Sequence, residues 1–409
     1  MKLDRPQQEM LSGRRGAGLE SAISLLLDIG EAAGAKRTLP IQSAHVSGVS
    51  YLTGGEGLVK FLTGLAEGGA RASAYSTLNP AGMDLDRWKE MGLEPGFAEK
   101  QELIISLYRR LGIQTTCSCT PYEMGNVPRF GAPIAWAESS AIAFANSFFG
   151  ARTNRESAVT ALCSALTGVT PEYGLHVEDE RAPNVLVQVD AEPRDPTDLS
   201  IIGHHVGELL QGEAFEFGPI PYFKGLRLRS RYDLKALGAT LGTFGTALCH
   251  VEGFTPECER CPLKNAKKRV RVTGTDLARW RREAEPSSPP ALIALGCPQA
   301  SAPEIEGIAA LLDGKKLAES RELWVFTSRA QRAVATQTGA VHRIENAGGK
   351  VLVDTCPEVV PYPRSLYPSI LVDSMKAHHY IRSPGLAGIP ASVLSTERCV
   401  RVATGEEKI

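Results

Sequence analysis

The sequence predicts an α/β protein with substantial parallel sheet. Segments with helical periodicity alternate along the chain with short apolar runs rich in β-branched residues. Glycine closes several of the helical segments, as it does where a helix must stop. The 409 residues, 43% of them hydrophobic, suffice for a large core spread over about two or three domains.

Taken in order, LESAISLLLDIGEAAG reads as the first long helix and RTLPIQSAHV as the first strand. GEGLVKFLTGLAEGG (helix), ASAYSTLN (strand), FAEKQELIISLYRRLG (helix) and ESSAIAFANSFFG (helix) come after them. NVLVQVD is the next strand, and DPTDLSIIGHHVGELLQG and DLKALGATLGTFGTALCHV are helices. The last third reads ALIALG, APEIEGIAALLDG, ELWVFT and KVLVDT, three strands around one helix. EAEPSSPP (Glu283 to Pro290) is polar and proline-rich and reads as a linker. With a second change of composition near Gly112, the expected domains are 1–112, 113–285 and 286–409.

Charge and hydropathy narrow the function. Lys plus Arg number 45 against 46 Asp plus Glu, so no global charge points to nucleic acid. The basic run KNAKKRVRV (Lys264 to Val272) reads as a solvated linker or helix face. No run reaches the roughly 18 apolar residues of a membrane helix, and MKLDRPQQEMLSGRRG lacks a signal-peptide core. The expectation is a cytoplasmic protein with neither nucleic-acid nor membrane partners.

The nine cysteines form no compact disulfide framework. Cys119, Cys297 and Cys356 share a context: each lies beyond the carboxyl end of a candidate strand, with Pro next or next but one. Ligands of open α/β sheets gather at that edge. Three thiolates there could hold three irons of a [4Fe-4S] cluster and leave the fourth open, or they could be unrelated buried thiols. CHVEGFTPECERC, with Cys249, His250, Cys258 and Cys261, is a rival. Its Cys258 and Cys261 have zinc-knuckle spacing without a second pair, so a local disulfide or buried thiols fit equally.

The motifs CTPY, AWAESSAIAFANSFFGARTNRES, TGVTPEYGLHVEDER, GCPQAS, VLVDTCP and SMKAHHY resemble aconitase X, a divergent branch of the aconitase superfamily of iron–sulfur hydro-lyases. The resemblance runs from about Leu11 to Tyr380. It implies an aconitase-type large subunit with several α/β domains around a [4Fe-4S] cluster on Cys119, Cys297 and Cys356, one iron being open. Two activities belong to the family: dehydration of (R)-5-phosphomevalonate in an archaeal-type mevalonate pathway, and dehydration of cis-3-hydroxy-L-proline. The loops SAHVSGVSYLTGGEGL and YSTLNPAGMD resemble the first type. A non-catalytic cluster-binding protein is the alternative of another class; it would show a closed four-cysteine site. Aconitases also need a swivelling small domain that supplies a serine base, and the 29 residues of IRSPGLAGIPASVLSTERCVRVATGEEKI are too few. The resemblance therefore implies a separate small subunit.

These motifs also supply the site residues. Gly48 permits a tight turn in which the N–H groups of Gly48, Val49 and Ser50 can converge on a phosphate. Glu138 and Ser139 open a helix beside Cys119: Glu138 to orient or protonate the leaving hydroxide, Ser139 to bind substrate oxygens. A plain first-turn cap is the alternative. Asn79 and Pro80 are placed on substrate, and Lys376 offers charge to a carboxylate or phosphate. Arg152, Asn154, Arg155 and Glu156 read as a buried polar network, while His176, His204 and His205 read as structural.

Overall fold

The computed structural model describes residues 1–409 except Pro262, Lys264 and Asn265. Three parallel sheets organise the chain, as the alternation of helix and strand requires. In the first, Tyr75–Leu78, Ser43–Val46 and Ala135–Trp136 lie side by side in that order. All four residues of Ser43–Val46 are buried, because helices cover both faces of a parallel sheet. Leu26, Leu62, Ile104 and Leu166, each from a different helix, pack against Ala44, Val46, Leu78 and Ala135.

The second sheet runs His250–Val251, Pro221–Lys224, Val185–Val189 and Lys268–Val272. Its last strand corrects an expectation. The basic run begins outside the described residues, but Lys268–Val272 is an edge strand rather than a linker or helix face. Charged side chains there deter pairing with another chain.

The third sheet is ordered Lys350–Leu352, Glu322–Thr327, Leu292–Ala300, Ile370–Val372 and Ala391–Val393, all parallel. One apolar cluster runs from the second sheet to the third through Val187, Phe223, Leu237, Trp324 and Phe326. Each such buried side chain contributes about 1.5–3 kcal/mol.

Two elements differ from expectation. RTLPIQSAHV is two strands: Thr38–Pro40 pairs antiparallel with Val169–Pro171, and only Ser43–Val46 enters the parallel sheet. DLKALGATLGTFGTALCHV ends its helix at Thr243; Gly245, at φ +93°, turns the chain toward the strand His250–Val251.

Gly296 sits at φ +96° directly before Cys297, and a Cβ there would lie 2.3 Å from the Phe326 carbonyl oxygen on the next strand. Gly296→Ala is expected to destabilise the chain by more than the 1–2 kcal/mol of left-handed strain alone, roughly. Gly307 lies within the helix Ala302–Leu311 with open space around it, so Gly307→Ala should stabilise by about 0.5–1 kcal/mol. Urea midpoints of the two variants moving in opposite directions would bear this out; equal shifts would not.

Candidate active site

The carboxyl ends of the first and third sheets meet. Ala81, just past Tyr75–Leu78, bridges to Thr355, just past Lys350–Leu352, and the Ala81 N–H donates to Asp354 O at 2.7 Å. Ser118 N–H donates to Leu78 O, so the segment bearing Cys119 continues beside the first sheet. Cys297 occupies the stretch of its strand where the register shifts, between Leu295 and Ala300. Cys356 comes after Lys350–Leu352.

Gln299 joins the three cysteine segments. Its backbone N–H donates to Cys119 Sγ at 3.2 Å, and its Nε2 donates to Thr355 O at 2.8 Å and Cys117 O at 3.4 Å. Among the described residues, two that are not glycine are left-handed, Cys117 at φ 45° and Asp354 at φ 64°, each two positions before a candidate ligand. Such backbone persists only where its surroundings over-determine it. At Asp354, Arg329 Nε donates to Oδ1 at 2.8 Å.

Lys376 lies at the centre. It belongs to the helix Met375–Arg382 and is 2% exposed. Its Nζ donates to Glu138 Oε1 at 2.5 Å and lies 3.4 Å from Glu358 Oε1. Glu138 caps the helix Ser139–Phe144, its Oε1 accepting from Ser140 N–H at 3.3 Å and from Ser140 Oγ at 2.9 Å. Glu138 Oε2 accepts from Asn79 Nδ2 at 2.9 Å. One carboxylate thus caps the helix and also binds Lys376 and Asn79.

Electrostatics separates the two acids. Burial pushes the Glu138 carboxyl up, but the Lys376 charge and the bonds from Lys376, Asn79 and Ser140 prevail and hold it at about 2. Glu358 is raised: burial dominates, Lys376 opposes it, and the Glu138 charge adds to it. Burial would lower the Lys376 ammonium, yet Glu138 and Glu358 hold it well above its ordinary value. Burial also raises the thiols, Cys119 to about 12 and both Cys297 and Cys356 well above the ordinary range.

The other expected residues vary in how well they fit. Ser139 is half-buried, and Pro80 is buried beside Asn79. Gly48 adopts φ +71°. Among the described residues, the N–H groups of Gly48, Val49 and Ser50 have no protein acceptor. The Ser50 hydroxyl is committed, accepting from Leu52 N–H and donating to Val359 O, both at 3.2 Å. Asn154 is buried and bonds Tyr173 and Leu175, and Glu156 is buried, but Arg155 is exposed and stands outside the expected network. A cavity of about 430 Å³ is lined by Cys297, Lys235 and Asp373, and by none of Asn79, Glu138 or Lys376.

Three profiles of one family match consecutive stretches: aconitase X first domain over 1–179, second domain over 183–282 and third domain over 290–405. The chain belongs to the aconitase X family. It is 41% identical to the phosphomevalonate dehydratase large subunit of Methanothermobacter thermautotrophicus, over 95% of each chain. It is 34% identical to the cis-3-hydroxy-L-proline dehydratase of Pseudomonas aeruginosa, covering 99% of this chain and 70% of that one. The crystal structure of Thermococcus kodakaraensis aconitase X (holo-form) superposes with a TM-score of 0.91 at 39% identity, covering 98% of this chain and 100% of that one. Glu283 to Pro290, expected to be a linker, lies between the helix ending at Glu283 and the strand beginning at Leu292.

Membership of the aconitase X family points to a metal cluster, and the residues present fit one. The buried Cys119 and Cys356 and the half-buried Cys297 lie near the buried Lys376, Cys297 Sγ donating to Glu358 Oε1 at 2.9 Å, and among the described residues Gln299 Oε1 has no partner. The rival motif fits less well. Glu178, Glu257 and Cys261 bring ligand atoms within 4.8 Å of one another, yet Glu257 is paired with Arg181 and Glu178 with Arg152. Guanidinium groups already neutralise both acids.

Sequence reasoning missed Glu358 and Gln299. Both stand in motifs read only for their cysteines, CPE and CPQ, where an acid or amide two residues past a ligand was the available signal. No helix among the described residues is long and apolar enough to cross a membrane.

Lys376→Met leaves two buried carboxylates without a cation and should cost about 3–5 kcal/mol at neutral pH. The pH dependence should invert. In the native chain Glu138 is depressed to about 2, so its contribution is complete above the ordinary carboxyl value and lost as pH falls toward 2. In the variant, unpaired burial raises the carboxyl, so stability should instead increase as pH falls from neutral. Urea melts of the cluster-free chain across this range check the slope; equal slopes would refute the assignment.

Proposed function

We propose that this chain is the catalytic large subunit of an iron–sulfur hydro-lyase that removes water from (R)-5-phosphomevalonate, giving trans-anhydromevalonate 5-phosphate. One observation carries the reading: Cys119, Cys297 and Cys356 meet Lys376 and Glu138 at the joined sheet ends. They do so in a chain matching, over 95% of its length, a relative named phosphomevalonate dehydratase large subunit. Nine unpaired cysteines suit the reducing cytoplasm, where we place the enzyme.

Cys119, Cys297 and Cys356 would hold a [4Fe-4S] cluster with one open iron, which when bound supplies a Lewis acid for the substrate's hydroxyl and carboxylate. The chain's own residues do the rest. Glu138, kept anionic by Lys376, accepts a hydrogen bond from the leaving hydroxyl and orients it. Ser139 offers its hydroxyl to substrate oxygens at the same helix start. Asn79 presents an amide donor, and Pro80 stiffens the turn that carries it. Lys376 supplies positive charge toward the substrate carboxylate. The free N–H groups of Gly48, Val49 and Ser50 receive the phosphate, a need that hydroxyproline lacks. A separate small subunit brings a swivelling domain and a serine base for the proton α to the carboxylate.

Gly48→Val is a poor probe of the phosphate, because a Cβ there would meet Ala158 Cβ at 2.8 Å and displace the helix Ala158–Thr167. Varying the substrate is cleaner. In the reconstituted two-subunit complex, removing the phosphate should lower kcat/KM by at least roughly ten- to a hundredfold, the worth of one charge-assisted bond or more. Preference for cis-3-hydroxy-L-proline would overturn the substrate while leaving the hydro-lyase.

Ligation is tested separately. Cys119→Ser, Cys297→Ser and Cys356→Ser should each lose iron and visible absorbance together with turnover. Cys163→Ser and Cys399→Ser, in buried positions packed among apolar side chains, should keep both. Full iron content in any of the first three removes that residue from the ligand set.

A further inference from the structure

We infer that His45 is a positioning residue, the third link of a one-way hydrogen-bond chain that holds the Asn79 amide in place against Glu138. The inference rests on the proposed role of Glu138. His45 and Thr77 are paired residues of adjacent parallel strands, so their side chains share a face of the first sheet. Both are 0% exposed, and Asn126, which reaches the same point from a loop, is 2% exposed.

The direction of the chain is set by the donors and acceptors each group possesses. An ionised carboxylate only accepts, so the Asn79 atom 2.9 Å from Glu138 Oε2 must be the Nδ2 donor. Asn79 Oδ1 then faces His45 Nε2 at 3.2 Å, and that nitrogen must carry the hydrogen. A neutral imidazole bears one N–H, so Nδ1 is bare and accepts from Thr77 Oγ1 at 2.9 Å. Thr77 Oγ1 also lies 3.4 Å from Ala44 O, but the shorter contact to His45 takes its hydrogen, and its oxygen accepts from Asn126 Nδ2 at 2.9 Å. Asn126 Nδ2 also donates to Ala44 O at 3.1 Å, which anchors the start of the chain to the backbone.

Each link permits one orientation only once its neighbour is set. Burial lowers the imidazole to about 4, against the smaller upward pull of Glu138, which keeps the ring neutral as the chain requires. Without His45 the Asn79 Oδ1 loses its donor, and the amide is free to swing away from the Glu138 carboxylate. Glu138 would then lose a donor and its fixed position beside Lys376.

The test uses the cluster-loaded two-subunit complex and a double-mutant cycle. His45→Ala should lower kcat about tenfold, as expected for one hydrogen bond to a charged group, with KM and iron content little changed. His45→Gln, neutral with one donor and one acceptor, should restore most of that loss. Combining His45→Ala with Asn79→Ala should cost no more than Asn79→Ala alone, because His45 acts only through Asn79. Additive losses, or full activity in His45→Ala, overturn the inference. A second readout needs no turnover: ¹⁵N-histidine NMR of the cluster-free chain should show His45 as the neutral Nε2–H tautomer. Thr77→Val, which removes the hydroxyl and keeps the volume, should keep that tautomer but move the His45 Nδ1 resonance, because the bare nitrogen loses its donor, and this reads the chain even if His45→Ala does not fold. A native Nδ1–H tautomer overturns the chain of bonds. A wrong substrate assignment would instead show as an inactive native complex with the tautomer intact.

Discussion

Lys376 cannot reach water, and two carboxylates share it. A buried ion pair of this kind adds little net stability over an apolar packing, because desolvating both partners offsets the attraction. Its contribution here is geometry. Lys376 comes just after the third-sheet strand Ile370–Val372, and Glu138 just after the first-sheet strand Ala135–Trp136. Their contact at 2.5 Å therefore ties the ends of two sheets at the point where the three cysteine segments arrive. The arrangement tolerates no separation of the sheets, since either partner alone would be an uncompensated buried charge.

Parallel topology explains why so many polar side chains meet in one place. Within each of these sheets every strand points its carboxyl end the same way, so the residues beyond the strands are delivered to one edge of that sheet. His45 and Thr77 lie near that edge, and Asn79, Glu138, Cys356 and Lys376 come shortly after their strands end. The chain must then turn sharply to bring a thiol inward. Left-handed backbone at Cys117 and Asp354, and the close approach of Gly296 to Phe326 O, are the local cost of those turns.

Much of this was legible in the sequence. An apolar run followed by Cys and then Pro suggested a strand that ends at a thiol, and only Cys356 obeys it: Cys297 lies inside the strand Leu292–Ala300, and among the described residues no strand leads up to Cys119. Glu138 was legible as a helix-opening acid, and it does cap the helix Ser139–Phe144. Glu358 was not legible. An acid two residues past a cysteine looks solvated, and only Lys376, reached from another element, makes its burial tolerable. His45 looked like a strand residue because its partners come from the neighbouring strand and a distant loop. Ser50 carried a hydroxyl suited to an anion, but the fold spends it on a cap and on Val359 O. The basic run misled because alternation with period two is weak over five residues, and Lys268–Val272 shows it only as an edge strand.

The charges around the two cysteine-bearing motifs separate them. At Cys261 each nearby acid has its own guanidinium, Arg181 for Glu257 and Arg152 for Glu178, so that site is balanced as it stands. Around Lys376 one ammonium faces two carboxyls and three thiols. Ionising those thiols would leave a large negative excess in a buried pocket, and burial accordingly keeps them protonated in the isolated chain. Cationic iron is the counter-charge such a pocket lacks, because it would turn the thiols into thiolates and balance them in one step. Imbalance at one cysteine motif and balance at the other favour the sheet edge as the place where a cluster would sit.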